Sequence, residues 1–186
     1  ASGLDIKMIC PLHGPIWRNN LEYFIDKHDK WSKYEPEEKG VLIAYASMYG
    51  NTEAAAQCLA AKLVEKGCTN VKVYDVSNTH VSQLISESFK LSNIVLASVT
   101  YNTGLFPAML DYLEDMKALE VQNRTIALME NGSWGPRAAS HMTNFITDNL
   151  KNMTILEPKV TIKSAGKDSD VQNIDALADA IIESMK

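Results

Sequence analysis

Ser47, Asn51 and Thr52 crowd around Gly50 in a short stretch, Ser47-Met48-Tyr49-Gly50-Asn51-Thr52, that holds neither Lys nor Arg. Hydroxyl and amide donors beside a glycine, just ahead of an Ala-rich segment starting at Glu53, suit the capture of an oxyanion. The helix start supplies unpaired N–H groups and a partial positive charge, and Gly50 permits a turn with positive φ. Together these are the parts of a phosphate cradle that works by dipoles and hydroxyls instead of a counter-charge. The plainer account of the same residues is a strand-to-helix turn capped by Thr52 that binds nothing. Two more stretches carry a similar mixture. Thr100-Tyr101-Asn102-Thr103-Gly104 precedes Leu105-Phe106-Pro107, and Asn131-Gly132-Ser133-Trp134-Gly135 precedes Pro136. The flat apolar face of Trp134 on a glycine-flanked loop suits stacking on a planar ring; packing at the rim against neighbouring helices is the alternative for Trp134 and Tyr101.

The elements that position these loops can be read from periodicity. Val41 to Ala46 is a continuous apolar run, expected of a strand buried on both faces. From there strand and helix signals alternate, the mark of a parallel sheet covered by helices. Strands are expected over 70–76, 93–99, 124–130 and 154–163. Helices are expected from Glu53 to a stop at Gly67, within 77–90, from Pro107, from Pro136, and along a last segment with Ile174, Leu177, Ala178, Ile181 and Met185 on one face. In such sheets ligands sit beyond the carboxyl ends of the strands, where all three loops fall. The first forty residues differ. Leu4 to Cys10 reads as a short strand, Pro11 to Pro15 as a break, and Asn19 or Asn20 as the cap of a helix through Leu21, Phe24 and Ile25. Trp31 to Pro36 reads as a linker and Glu37 to Gly40 as a solvated hinge.

Composition narrows the classes. The 186 residues are 46% hydrophobic, enough for a folded core, and the net charge of −5 argues against a nucleic-acid-binding surface. No stretch has the length of a membrane span, and no signal peptide is evident. The three cysteines, Cys10, Cys58 and Cys68, form no CxxC pair, which fits a reducing, cytoplasmic setting. Ala1-Ser2-Gly3 reads as a cut or expression boundary. His28, His80 and His141 show no metal-ligand spacing, and the chain offers no serine–histidine–acid set and no paired acid catalysts.

Three stretches, Ile9 to Arg18, Trp31 to Pro36, and the Ser47 to Thr52 loop, together with the 100–107 loop, resemble the flavodiiron proteins (A-type flavoproteins). In that family a metallo-β-lactamase-like domain with a non-haem di-iron site precedes a flavodoxin-like domain. The resemblance implies an α/β fold: a flavodoxin-like, doubly wound, five-stranded parallel sheet in the order 2-1-3-4-5, with helices on both faces. It implies that residues 1–40 are the end of the upstream di-iron domain plus a linker, and that residues 41–186 form the FMN-binding domain. FMN would then be held by Ser47, Met48, Tyr49, Gly50, Asn51 and Thr52 at its phosphate. Thr100, Tyr101, Asn102, Thr103 and Gly104 would wrap its ring near N5, and Asn131, Gly132, Ser133, Trp134 and Gly135 would line the pyrimidine side. His13 would be an iron ligand only in a full-length parent, because the family's H-x-E-x-D-H cluster does not occur here, and di-iron belongs to that parent alone.

The same resemblance implies electron transfer, with FMN as the redox centre of an oxygen or nitric oxide reductase. The donor would be a rubredoxin or a flavin reductase, and the acceptor the di-iron domain of a second subunit in a head-to-tail dimer. Hydrogen bonding by Asn102 to Gly104 is expected to tune the flavin's one-electron state. Glu53, Asp111, Glu114 and Glu130, in or next to segments flanking the loops, are expected to make the second reduction harder. Two other classes share the fold or the loops: an FMN-dependent NAD(P)H:quinone reductase, and a non-redox module that holds another anion or a partner protein.

Overall fold

The apolar run at Val41 continues a strand that already begins three residues earlier, and both faces of that strand are covered. In the computed structural model, which describes residues 3–186, β1 spans Glu38–Ala46, and Val41, Leu42, Ile43, Ala44 and Ala46 are all fully buried. Leu42, Ala44 and Ala46 face one core, while Val41, Ile43 and Tyr45 face the other. This alternation is why the strand reads as continuously apolar. Burying each large aliphatic side chain contributes about 1.5–3 kcal/mol.

In chain order the elements are α1 (Leu21–Ser32), β1, α2 (Asn51–Glu65), β2 (Val71–Asp75), α3 (Val81–Lys90), β3 (Leu91–Tyr101), β4 (Gly104–Leu105), α4 (Pro107–Ala118), β5 (Thr125–Asn131), α5 (Ala138–Asn149), β6 (Thr154–Ile162) and α6 (Asp168–Ser184). The sheet runs β2-β1-β3-β5-β6, all parallel, with β4 paired antiparallel to the end of β3. With β4 set aside this is the expected 2-1-3-4-5 order. Residues from α3, α4 and α5 close one core and residues from α2 and α6 the other. Register brings the functional loops to one edge: Ala46 lies opposite Ser98, Ser98 opposite Glu130, and Glu130 opposite Thr161.

Several local expectations differ from the structure. The two-residue β4 has no apolar pattern of its own; it forms because the chain reverses through Asn102 and Thr103, both at positive φ. α5 starts at Ala138, two residues after Pro136. Val64 in α2 and Leu110 in α4 fall at helical spacing with the half-buried Ala60 and the buried Leu113 and yet are exposed, while Met109 and Tyr112 are buried. Leu4 to Cys10 is no strand; its one ladder contact is the bridge between Ile9 and Trp17. Asn20 occupies the cap position of α1 in a left-handed conformation and makes no side-chain cap. Trp31 and Ser32 belong to α1, and Glu38 to Gly40 belong to β1 and form no hinge. Glu37 is held too. Its N–H donates to the Lys90 carbonyl at 2.9 Å, and its carboxylate accepts from Trp31 Nε1 at 2.6 Å and pairs with Lys27. The boundary reading at Ala1-Ser2-Gly3 falls, for its first two residues, outside the described part of the chain.

Candidate functional site

β1 ends at Ala46, and the chain must turn through four residues before α2 begins at Asn51. Gly50 makes that turn possible: it is the N-cap of α2 at φ +83°, a left-handed conformation that costs a residue with a Cβ about 1 kcal/mol or more. No side chain caps α2. Thr52 is therefore not the cap; it is the second helical residue and is nearly fully buried. Beside this uncapped helix start, the Ser47 hydroxyl is buried and has no hydrogen-bond partner. A buried hydroxyl left without a partner costs about 1–3 kcal/mol, so the arrangement is balanced only when an acceptor or donor occupies the space in front of it.

That space is a cavity of about 300 Å³ lined on the β1 side by Ser47, Met48, Tyr49, Asn51 and Thr52. Across from them lie Val99 and Thr100 of β3, then Asn131 to Trp134, then Ser164. A second cavity of about 500 Å³ shares Thr100, Gly132, Ser133 and Trp134 with the first and adds Thr103, Gly135 and Arg137. Of the residues singled out in the sequence, Gly50, Tyr101, Asn102 and Gly104 line neither cavity. Gly50 shapes the turn and the other three shape the β3–β4 hairpin.

Each wall is fixed by identifiable contacts. The Thr100 hydroxyl accepts from the backbone N–H of Arg137 at 2.9 Å and of Ala138 at 3.2 Å, so the second loop caps the helix that follows the third. His141, one turn into α5, contacts the Thr103 carbonyl through Nε2 at 2.9 Å and steadies the hairpin. The Asn131 amide spans to Ser164 twice, donating to its carbonyl at 2.9 Å and accepting from its N–H at 3.2 Å, and the Ser133 and Ser164 hydroxyls meet at 2.7 Å. Below them the buried Glu130 carboxylate accepts from Ala139 N–H at 2.9 Å and from the Thr161 hydroxyl at 2.8 Å. Gly132 is at a close approach: a Cβ there would lie 3.0 Å from Pro136 Cα and 3.2 Å from Thr100 Oγ1, so these neighbours would have to give way by a few tenths of an ångström. Gly104 is not, because a Cβ there would meet its nearest atom at an ordinary 3.5 Å. At the mouth, Trp134 is fully exposed and Tyr49 nearly so. Neither packs against a helix.

The four acids expected to flank the loops are placed differently: Glu53 is exposed in the first turn of α2, next to Asn51 and Thr52 but lining neither cavity. Asp111 and Glu114 line a different cavity, between α3 and α4, together with Asp115. Glu130 lies beneath the site with both oxygens bonded. The charged side chain that lines the paired cavities is Arg137. Tyr45, two residues before Ser47, has its phenol pushed up to about 12, first by burial and then by the nearby carboxylates of Glu53 and Asp75. His13 is exposed in the turn after Ile9, and among the described residues no three His, Cys, Asp or Glu side chains come together as a metal site. Sequence reasoning missed Val99, Arg137 and Ser164. Ser164 offers no local signal, since its role depends on pairing with Asn131 across the sheet.

The donor set fits a phosphorylated planar group: a helix start without a cap, an unpartnered buried hydroxyl, and a cavity walled by a glycine that no other residue can replace without movement. By fold and site, this is an α/β protein whose candidate site, an open cavity, lies at the switch between β1 and β3. Residues 43–153 match the family described as Flavodoxin, and the chain belongs to that family. Over its whole length it is similar to longer proteins. It is 27% identical to the rubredoxin-oxygen oxidoreductase of Megalodesulfovibrio gigas across 100% of this chain and 46% of that protein. It is 29% identical to the nitric oxide reductase of Moorella thermoacetica across 91% of this chain and 42% of that protein. The crystal structure of the flavodiiron protein from Giardia intestinalis shares the fold, with a TM-score of 0.88 at 23% identity, over 99% of this chain and 46% of that one. The chain thus resembles flavodiiron proteins from end to end, and it spans a little under half the length of these relatives.

Proposed function

We propose that the chain binds FMN in the paired cavities and serves as the electron-transfer domain of a flavodiiron oxygen or nitric oxide reductase. The observation that carries this is the buried, unpartnered Ser47 hydroxyl in the cavity that the uncapped start of α2 also lines. The phosphate is assigned to Ser47, Asn51, Thr52 and the backbone of Met48 to Gly50, and the ring to the cavity between the β3–β4 hairpin and Trp134. Bound there, FMN supplies one- and two-electron transfer, which no side chain of the site provides. The chain's own residues bind and orient it. Thr100 and His141 hold the hairpin and the start of α5 in fixed relation, and Asn131 and Ser164 hold the opposite wall. Trp134 and Tyr49 are free to cover the mouth against water.

In this reading residues 41–186 are the FMN domain and residues 1–40 the last segment of an upstream di-iron domain with its linker; His13 would be a di-iron ligand only in the full-length parent. Electrons arrive from a rubredoxin or a flavin reductase in the cytoplasm and leave to the di-iron domain of a second subunit. Similarity to proteins named rubredoxin-oxygen oxidoreductase and nitric oxide reductase supports this assignment. No helix among the described residues is long and apolar enough to cross a membrane.

The test is spectroscopic. The purified chain, as isolated or after addition of FMN, is expected to show a two-banded yellow spectrum and to release FMN on acid treatment. Ser47→Ala should weaken FMN binding about tenfold to a hundredfold, the value of a hydrogen bond to a charged group, as read by recovery of flavin fluorescence. A chain that takes up no FMN, or an alanine variant with unchanged affinity, overturns the reading.

A further inference from the structure

Arg137 is the charged side chain lining the cavity assigned to the ring, and its guanidinium has no ion-pair or hydrogen-bond partner among the described residues. The position is unusual for a cation. Arg137 is the N-cap of α5, whose first turn contains no acidic residue, and a positive charge at a helix N-terminus opposes the helix dipole. The fold gains nothing from the side chain there: the contact with Thr100 is made by the Arg137 backbone N–H, which any non-proline residue supplies. Of the acids expected to give the site a negative field, Asp111 and Glu114 line another cavity and Glu130 is bonded beneath the sheet edge; Glu53, exposed in the first turn of α2, is near the first cavity but lines neither.

We propose that Arg137 makes the ring cavity discriminate by charge, holding the two-electron-reduced, anionic form of the flavin more tightly than the neutral oxidised form. This rests on the assignment of FMN to the paired cavities. The sign is the reverse of the one the protein's overall charge of −5 suggests, because a group lining the ring cavity outweighs acids that lie outside it and that solvent screens. The side chain is exposed, so the effect is modest and salt-dependent.

The test compares wild type with Arg137→Gln and Arg137→Lys, each loaded with FMN. Affinity for oxidised FMN is read by fluorescence quenching, and the two-electron midpoint potential by redox titration at low and high salt. Arg137→Gln should leave oxidised FMN binding within about twofold. It should weaken binding of the reduced form a further threefold to fivefold, a fall of about 15–20 mV by the two-electron relation between potential and equilibrium constant. Arg137→Lys should keep most of the wild-type potential, and the difference should shrink at high salt. FMN uptake with unchanged potential in Arg137→Gln overturns this inference and leaves the assignment of FMN intact. A wild-type chain that takes up no FMN overturns both.

Discussion

Tyr45, two residues before Ser47, couples the stability of the fold to pH. Its ring is buried in the core that α2 and α6 close, and its phenol is raised to about 12 by that burial and by Glu53 and Asp75. A raised folded-state value means that the folded protein holds the proton more tightly than the unfolded chain does. The corresponding stability is fully present below pH 10 and is lost as pH rises through about 12. A shift of this size is worth about 2–3 kcal/mol. Urea midpoints of the wild type should therefore fall across that window, and Tyr45→Phe should fall by less. Arg124 has the opposite sign: burial lowers it to about 10, so deprotonation relieves a penalty there. The difference between wild type and Tyr45→Phe isolates the tyrosine, since Arg124 is common to both. Parallel curves for the two proteins would show that the phenol is not the group responsible.

At the scale of elements, the third loop and the start of α5 form one unit around Gly132. A Cβ at Gly132 would press on Pro136 and on the Thr100 hydroxyl that caps α5, whereas a Cβ at Gly135 would meet nothing within 4 Å. Gly132→Ala should destabilise by about 1–3 kcal/mol, as overpacking does, and Gly135→Ala should stay within about 0.5 kcal/mol of wild type. Urea unfolding of the pair is a controlled comparison, because the two glycines share a loop and differ in surroundings. Equal losses would mean that close approach is not what Gly132 provides. The same loops mark where sequence reading stops. β1, β3 and β5 were legible because burial on both faces writes continuous apolar runs, and the sheet order came from the resemblance those runs and loops supported. The Ser47 to Thr52, Thr100 to Gly104 and Asn131 to Gly135 loops were legible as candidates by composition. The positive-φ turn at Gly50 was legible because glycine favours it, whereas the plainer account of a Thr52 cap, a good N-cap residue in isolation, does not hold because Thr52 is already inside the helix. β4 was missed because it is only two residues long and its turn places Thr103, a β-branched residue with no left-handed preference, at positive φ after Asn102, and Ser164 because its partners lie far away in sequence.

The whole molecule is tied together by a residue the sequence presented only as the start of a strand. Arg124 is almost fully buried, and its guanidinium donates mainly to backbone carbonyls from three segments: Ser88 at 2.9 Å and Phe89 at 2.7 Å at the end of α3, Tyr34 at 2.8 Å after α1, and Gln122 at 2.8 Å in its own loop. The planar fork of N–H donors satisfies the Ser88 and Phe89 carbonyls at the end of α3 and strengthens the hold on the Tyr34 carbonyl, which also accepts from Asn123 Nδ2 at 3.4 Å. α1 itself buries no residue, so contacts such as Arg124 with Tyr34 and Glu37 with Lys90 hold the N-terminal segment to the sheet. Arg124→Met keeps the volume but strands these acceptors. At about 1 kcal/mol or more for each buried carbonyl left unpaired, it should destabilise by about 3 kcal/mol. Arg124→Lys reaches fewer carbonyls from a single ammonium and should fall between. The loss should also be local: limited proteolysis of Arg124→Met should cut between Ser32 and Glu37 while the sheet and the FMN site remain intact. If the variant unfolds at lower urea without faster cleavage there, Arg124 stabilises α3 and β5 alone, and the N-terminal segment is held by Glu37 instead.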